Sequence, residues 1–152
     1  AGLVWTDLKT ENFVVMSNGE VKGIDLESAM PAGDSPVDYS PEACPPEFAT
    51  AFLAGDGPYF KLDYSYDVWS LGMFFWEIAA GRGYFDGQNP AQITKYLRDS
   101  NVGVPVDELD CDAKLKDLIS KCLDRNPQRR PRMAQVLLHP YFFESPLKMI
   151  GL

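Results

Sequence analysis

Histidine is nearly absent. The 152 residues hold one, His139, beside Pro140 at the end of a helical stretch, where it reads as a packing residue rather than a general base. Cysteine is scarce and odd in number: Cys44, Cys111 and Cys122 follow no metal-ligand spacing, which argues against a cysteine metal site and for reduced thiols in a cytoplasmic or nuclear compartment. No run reaches the roughly 18 apolar residues of a membrane-spanning helix. The first residues lack the basic start and apolar stretch of a signal peptide. Positive charge is in deficit, with 14 Lys and Arg against 22 Asp and Glu and a net charge of −8. Such a surface speaks against nucleic acid and anionic membrane as partners and is compatible with basic protein substrates. No internal repeat or low-complexity tract occurs.

What is present is the material of a folded domain. Apolar residues make up 45% and aromatics 12%, a globular composition, and the length suits one domain over residues 1–152 with a real core.

The densest chemistry lies in Trp5-Thr6-Asp7-Leu8-Lys9-Thr10-Glu11-Asn12, flanked by the apolar runs Leu3-Val4 and Phe13-Val14-Val15. A second carboxylate, Asp25, ends the run Val21-Lys22-Gly23-Ile24. Between the two runs, Ser17-Asn18-Gly19-Glu20 is a turn signal, so the spacing predicts a hairpin with Asn12 at one end and Asp25 at the other. Antiparallel pairing would bring those two ends together. Phosphoryl transfer needs such a set: a carboxylate to accept a hydroxyl proton, a cation near the moving phosphoryl group, and oxygens for the metal that bridges the phosphates. Mg²⁺ prefers oxygen ligands and takes few from a protein. Taken alone, the same stretch also reads as a solvated charged turn.

From Glu27 to Glu47, helix and strand signals fade. Pro31, Pro36, Pro41, Pro45 and Pro46 exclude a long helix and leave an extended loop. A short helix is expected over Glu47–Leu53. A long, mostly apolar and therefore buried helix is expected over about 65–81, capped by Ser65 or Asp67 and ended by Gly81. Further helices are expected from Pro90 to Leu97, over Asp112–Leu123 with one apolar face, and from Met133 to Leu138. Trp69 and Trp76, seven apart, read as core. Tyr59, Phe60, Tyr64 and Tyr66 read as packing residues.

These stretches, in this order, resemble the C-terminal lobe of a protein kinase. The segment 5–12 is similar to the catalytic loop, and Asp25 to the metal-binding Asp that opens an activation segment over 25–47. Ser40-Pro41-Glu42-Ala43-Cys44-Pro45-Pro46-Glu47 resembles the kinase segment Thr-Pro-x-Tyr-x-Ala-Pro-Glu. Asp67-Val68-Trp69-Ser70-Leu71-Gly72 resembles the motif of the central helix, and Arg130-Pro131 the terminal Arg-Pro turn. The resemblance implies a mainly α (α+β kinase) fold, a helical bundle with a small β-hairpin carrying the active-site ends. It implies ATP and Mg²⁺ as cofactors and a protein as substrate.

By the same resemblance, Asp7, Lys9 and Ser40 would be catalytic. Asp7 would accept the substrate proton, Lys9 would steady the transferring phosphate, and Ser40 would hydrogen-bond near both. Lys9, Asn12 and Asp25 would bind the nucleotide, with Asn12 and Asp25 holding the metal. Glu47, Asp67 and Arg130 would be structural, through a Glu47–Arg130 pair and an Asp67 carboxylate accepting catalytic-loop N–H groups. Leu26 would pack beneath the adenine side. Lys9 at its position resembles Ser/Thr kinases more than Tyr kinases.

The departures bear on regulation and competence. The family loop begins His-Arg-Asp, whereas this one reads Trp5-Thr6-Asp7, without the Arg that receives an activation-loop phosphate. The metal motif reads Asp25-Leu26-Glu27 in place of Asp-Phe-Gly, which removes a glycine's freedom and adds a carboxylate. No Gly-rich loop and no strand Lys with its partner Glu occur, so the N-terminal lobe is expected elsewhere in the parent polypeptide, and the segment alone is expected to bind ATP weakly or not at all. Two functions follow from the resemblance: a protein serine/threonine kinase, or a pseudokinase whose lobe acts as a binding scaffold.

Overall fold

The computed structural model describes residues 2–143. Among them the architecture is mainly helical, with five α-helices and two antiparallel pairs of short strands. Strand β1 is Leu3–Val4, β2 Phe13–Val15, β3 Val21–Gly23 and β4 Met30–Pro31. Helices are α1 Pro46–Ala54, α2 Ser65–Ala80, α3 Pro90–Arg98, α4 Ala113–Cys122 and α5 Met133–Leu137.

The β2–β3 hairpin pairs Phe13 with Gly23 and Val15 with Val21. Its turn closes through Met16 N–H to the Glu20 carbonyl at 2.8 Å, with Gly19 at φ 83°, a conformation glycine adopts without cost. Strand β4 lies in the stretch where strand signals fade, and it pairs Met30 with Val4 and Pro31 with Leu3. Two residues carry no alternation to read, and Pro31 is tolerable only because this pair is an edge.

Helix α1 starts with Pro46, whose missing N–H costs nothing in a first turn, and ends at Gly55 in the left-handed region at φ 85°. Helix α2 ends in the same way at Gly81. Neither Ser65 nor Asp67 caps it. The Asp63 carboxylate accepts the Ser65 N–H at 2.9 Å, and Asp67 points elsewhere. Asn89 and Gln92 close a reciprocal capping box on α3, and Asp112 accepts the Lys114 N–H at the start of α4.

Helix α2 is the axis of the core. Tyr66, Val68, Trp69, Met73 and Trp76 are buried along it, while Ile78 near its end is exposed. Helix α1 packs on α3, and α2 packs on α4. Gly72 permits the second contact, because a Cβ there would lie 2.7 Å from Leu123 Cδ2 and 2.9 Å from Cys122 Cβ. Phe48, Leu97 and Ile119 belong to the main cluster, each such burial contributing about 1.5–3 kcal/mol. Phe60 and Tyr66 pack on Phe48, but Tyr59 and Tyr64 are exposed and lie outside the core. His139 is buried, and its Nε2 lies 2.9 Å from Asp117 on α4. Among the described residues no helix is long and apolar enough to cross a membrane.

Candidate active site

The site forms where the loop after β1 meets the hairpin, the segment 25–47 and the start of α2. Asp7 is its focus. The Asn12 amide nitrogen donates to both the Asp7 carbonyl and Asp7 Oδ2, each at 2.8 Å. Lys9 Nζ lies 3.0 Å from Asp7 Oδ1 and donates to Ser40 Oγ at 2.6 Å. Asp7 Oδ1 is shielded from solvent and faces the Lys9 ammonium. Burial alone would lower the Lys9 pKa. The hydrogen bond and charge of Asp7, with the charges of Glu42 and Glu11, outweigh it and hold Lys9 above its ordinary value. Lys9 is therefore a cation at any physiological pH.

Asn12 is buried at the end of a 3-10 turn over Thr10–Asn12, and its backbone carbonyl accepts the Ile24 N–H at 2.9 Å. That bond extends the hairpin ladder and sets Asn12 beside Ile24-Asp25. With its amide nitrogen engaged by Asp7, Asn12 Oδ1 accepts no hydrogen bond among the described residues. Asp25, Leu26 and Glu27 are all exposed. Leu26 is 60% exposed and is not packed into the core of the described residues.

Asp67 supports the loop from below. Its two carboxylate oxygens accept the Trp5 N–H at 2.7 Å and the Thr6 N–H at 3.1 Å. Burial raises the Asp67 pKa, and the two backbone donors act against that rise. Ser70, one turn along α2, donates to the Ala43 carbonyl at 2.6 Å and fixes the loop ahead of α1. Glu47, at the start of α1, meets Arg130 through two bonds of 2.7 Å. Asp7, Lys9, Asn12 and Ser40 thus converge directly, Asp25 adjoins them through the hairpin, and Glu47, Asp67 and Arg130 stand behind.

Other contacts of the site could not be read from the sequence. Thr6 is fully buried with φ 62°, and its hydroxyl donates to the Ser28 carbonyl at 3.2 Å, with the Asp38 carbonyl at 3.5 Å as a weaker acceptor. Trp5 Nε1 donates to the Asp25 carbonyl at 3.0 Å, and Ser28 Oγ donates to the Trp5 carbonyl at 2.7 Å. Glu77 of α2 accepts from Thr10 Oγ1 and the Tyr84 N–H, both at 3.1 Å. Cys44 is buried, and burial pushes its thiol far above the ordinary value, leaving it protonated and unreactive.

A sequence model of the protein kinase domain matches residues 1–142. The chain belongs to the protein kinase domain family. This kinase chain is 31% identical over 148 residues to sperm motility kinase 2B of Mus musculus, covering 95% of the chain and 28% of that relative. It is 28% identical over 143 residues to the dual specificity mitogen-activated protein kinase kinase hemipterous of Drosophila melanogaster, covering 92% of the chain and 12% of the relative. It is 29% identical over 148 residues to the serine/threonine-protein kinase STK11 of Mus musculus, covering 93% and 32%. The kinase chain therefore spans a third or less of the length of these relatives.

Proposed function

We propose that this chain supplies the substrate-facing lobe of an ATP-dependent protein serine/threonine kinase in a reducing compartment. The arrangement of Asp7 supports the reading: a half-buried carboxylate braced by Asn12, with Lys9 bridging it to Ser40. The protein hydroxyl donates to Asp7 and attacks the γ-phosphorus of ATP. The bond to the β,γ-bridging oxygen breaks, ADP leaves, and the hydroxyl proton passes to Asp7. Lys9, charged throughout, offsets the negative charge on the transferring group. Asn12 Oδ1 and the Asp25 carboxylate are hard oxygen donors with room for phosphate and water, a set that suits Mg²⁺. When bound, the ion would neutralise phosphate charge. Ser40 keeps Lys9 from collapsing wholly onto Asp7.

The segment 25–47 is held by neutral contacts. Strand β4 pairs with β1, and the neutral Thr6 hydroxyl reaches the Ser28 and Asp38 carbonyls. The second reading, a scaffold without catalysis, draws on the exposed Glu27 carboxylate two residues beyond Asp25.

The deciding experiment measures transfer of labelled γ-phosphate from MgATP to a generic basic protein by the full-length polypeptide, with D7N and D25N controls. Transfer that both substitutions abolish supports the kinase reading. No transfer and no ATP binding leaves the scaffold.

A further inference from the structure

The segment 25–47 contains one stretch with little backbone support. Before it, the Asp34 carbonyl accepts the Leu62 N–H at 2.9 Å. After it, Ser40 Oγ accepts from Lys9 Nζ at 2.6 Å. Across residues 35–39, the hydrogen bonds that arrive from elsewhere among the described residues are long. Lys61 Nζ meets Ser35 Oγ and Thr6 Oγ1 meets the Asp38 carbonyl, each at 3.5 Å. Val37, in the middle, is 84% exposed.

The Tyr39 ring supplies what the backbone lacks. Its centroid lies 4.8 Å from that of Phe48 and 5.0 Å from that of Phe52, inclined by 68° and 60°. Phe48 and Phe52 are four positions apart on α1, so they share one face and form a notch. Both walls of the notch are backed. Phe48 is buried against Phe60 and Tyr66, with centroids at 5.2 and 5.7 Å. Phe52 rests on Gly57, where a Cβ would come within 3.3 Å of its ring. The Tyr39 hydroxyl lies beside Thr94 of α3, and burial holds the phenol above its ordinary value. One seated ring thus joins the stretch to α1 and α3.

Ser40 follows Tyr39 directly, and consecutive Cα atoms are about 3.8 Å apart. The Ser40 carbonyl also accepts the Ala43 and Cys44 N–H groups, both at 3.1 Å. A ring fixed in the notch therefore fixes the start of that turn and the hydroxyl that Lys9 meets.

We propose that Tyr39 is a positioning residue whose ring, seated between Phe48 and Phe52, sets the Ser40 hydroxyl on Lys9. The proposal rests on the reading of Asp7, Lys9 and Ser40 as the phosphate-transfer site. Without the ring, Lys9 loses its fixed second partner and turns wholly to Asp7. Asn12 and Asp25 lie outside these contacts, so the loss falls on kcat and leaves KM for ATP.

The test is a double-mutant cycle on the full-length polypeptide, with MgATP and a basic protein as substrates. Each kcat is taken per ATP-binding site, so that unfolded protein does not count. Tyr39→Ala is expected to lower kcat severalfold, as Ser40→Ala does, with an unchanged KM for ATP. Tyr39→Phe keeps the ring and is expected to restore kcat. Because Tyr39 acts through Ser40, the double variant is expected to lose no more than Ser40→Ala alone. Losses that multiply overturn the proposal, as does wild-type kcat in Tyr39→Ala or Ser40→Ala. If Tyr39→Ala does not fold, Phe52→Ala decides in its place, because Phe52 is 44% exposed and forms the outer wall of the notch, and unchanged kcat there overturns the proposal. Amide hydrogen exchange gives a readout independent of transfer: Tyr39→Ala is expected to speed exchange at Ala43 and Cys44, whose N–H groups rest on Ser40. A wild-type polypeptide without transfer overturns the kinase reading, and exchange then decides the anchor, with unchanged rates overturning it.

Discussion

Arg130 and Glu47, 83 positions apart, meet in a two-pronged ion pair with both N···O distances at 2.7 Å. The Arg130 side chain is wholly buried, whereas Glu47 keeps 24% of its side-chain exposure. Arg130 also donates to the Asp124 carbonyl at 2.8 Å and the Ser65 carbonyl at 3.0 Å, and it lies over the Trp69 ring at 5.1 Å. One guanidinium thus joins α1, α2 and the turn after α4.

Arg130→Ala leaves Glu47 and two carbonyls without their donor, so a loss of about 3–5 kcal/mol is expected. Arg130→Lys keeps the charge but not the fork, and it should recover only part of that loss. Chemical denaturation measures both. An Arg130→Ala midpoint equal to wild type would refute the pair as a stabilising element.

Gly72 sits inside α2, where Ala ordinarily stabilises a helix by about 0.5–1 kcal/mol. Here a Cβ would meet Leu123 at 2.7 Å and Cys122 at 2.9 Å. Overpacking costs about 1–3 kcal/mol, so Gly72→Ala is expected to destabilise. A raised melting temperature would show that α4 yields freely.

Asp67→Asn keeps the shape of the side chain but turns one acceptor into a donor facing a backbone N–H. The expected cost is about 1–3 kcal/mol. Phosphate transfer is expected to fall further than stability alone explains, because Trp5-Thr6-Asp7 loses its anchor. Measuring transfer well below the melting transition separates the two effects, and unaltered transfer there would show that the anchor does not position Asp7.

Asp117 supplies a pH dependence. The hydrogen bond from Lys121, then that from His139, holds its carboxyl below the ordinary value of 3.8. A depressed folded-state pKa stabilises the fold above 3.8, and that contribution is lost as pH falls through the folded value. The Asp117 side chain is half exposed, so the effect is within about 1 kcal/mol. Asp117→Asn should therefore melt slightly below wild type at pH 7, with the gap closing in acid. A gap constant from neutral to strongly acid pH would contradict this account.

Regulation is testable on the activation segment. Ser35→Ala and Tyr39→Phe are expected to retain phosphate transfer, since Thr6 holds the segment through neutral hydrogen bonds. Ser40→Ala is expected to lower transfer severalfold, because Lys9 loses its 2.6 Å partner. Loss of transfer in Ser35→Ala or Tyr39→Phe, with a phosphate mapped at that residue, would show that phosphorylation is required.

Much of the fold was written locally. Asn18-Gly19 between two apolar runs dictated the hairpin, Gly55 and Gly81 ended their helices, and the apolar stretch from Tyr66 to Trp76 called for burial. Asp7, Lys9 and Asn12 lie within six positions, so connectivity alone kept them near one another. Legibility ended where contacts run between distant segments. Strand β4 exists only because β1 offers it partners, and the Ser65 N–H is satisfied by Asp63 because Asp67 is drawn to Trp5 and Thr6. The left-handed turns at Thr6 and Asp25, and the indole joining their loops, have no sequence pattern at all. Periodicity and turn chemistry act over a few residues, and these the chain determined by itself. Strain held by hydrogen bonds between separate loops depends on where the packed core sets those loops, and that only the tertiary structure decided.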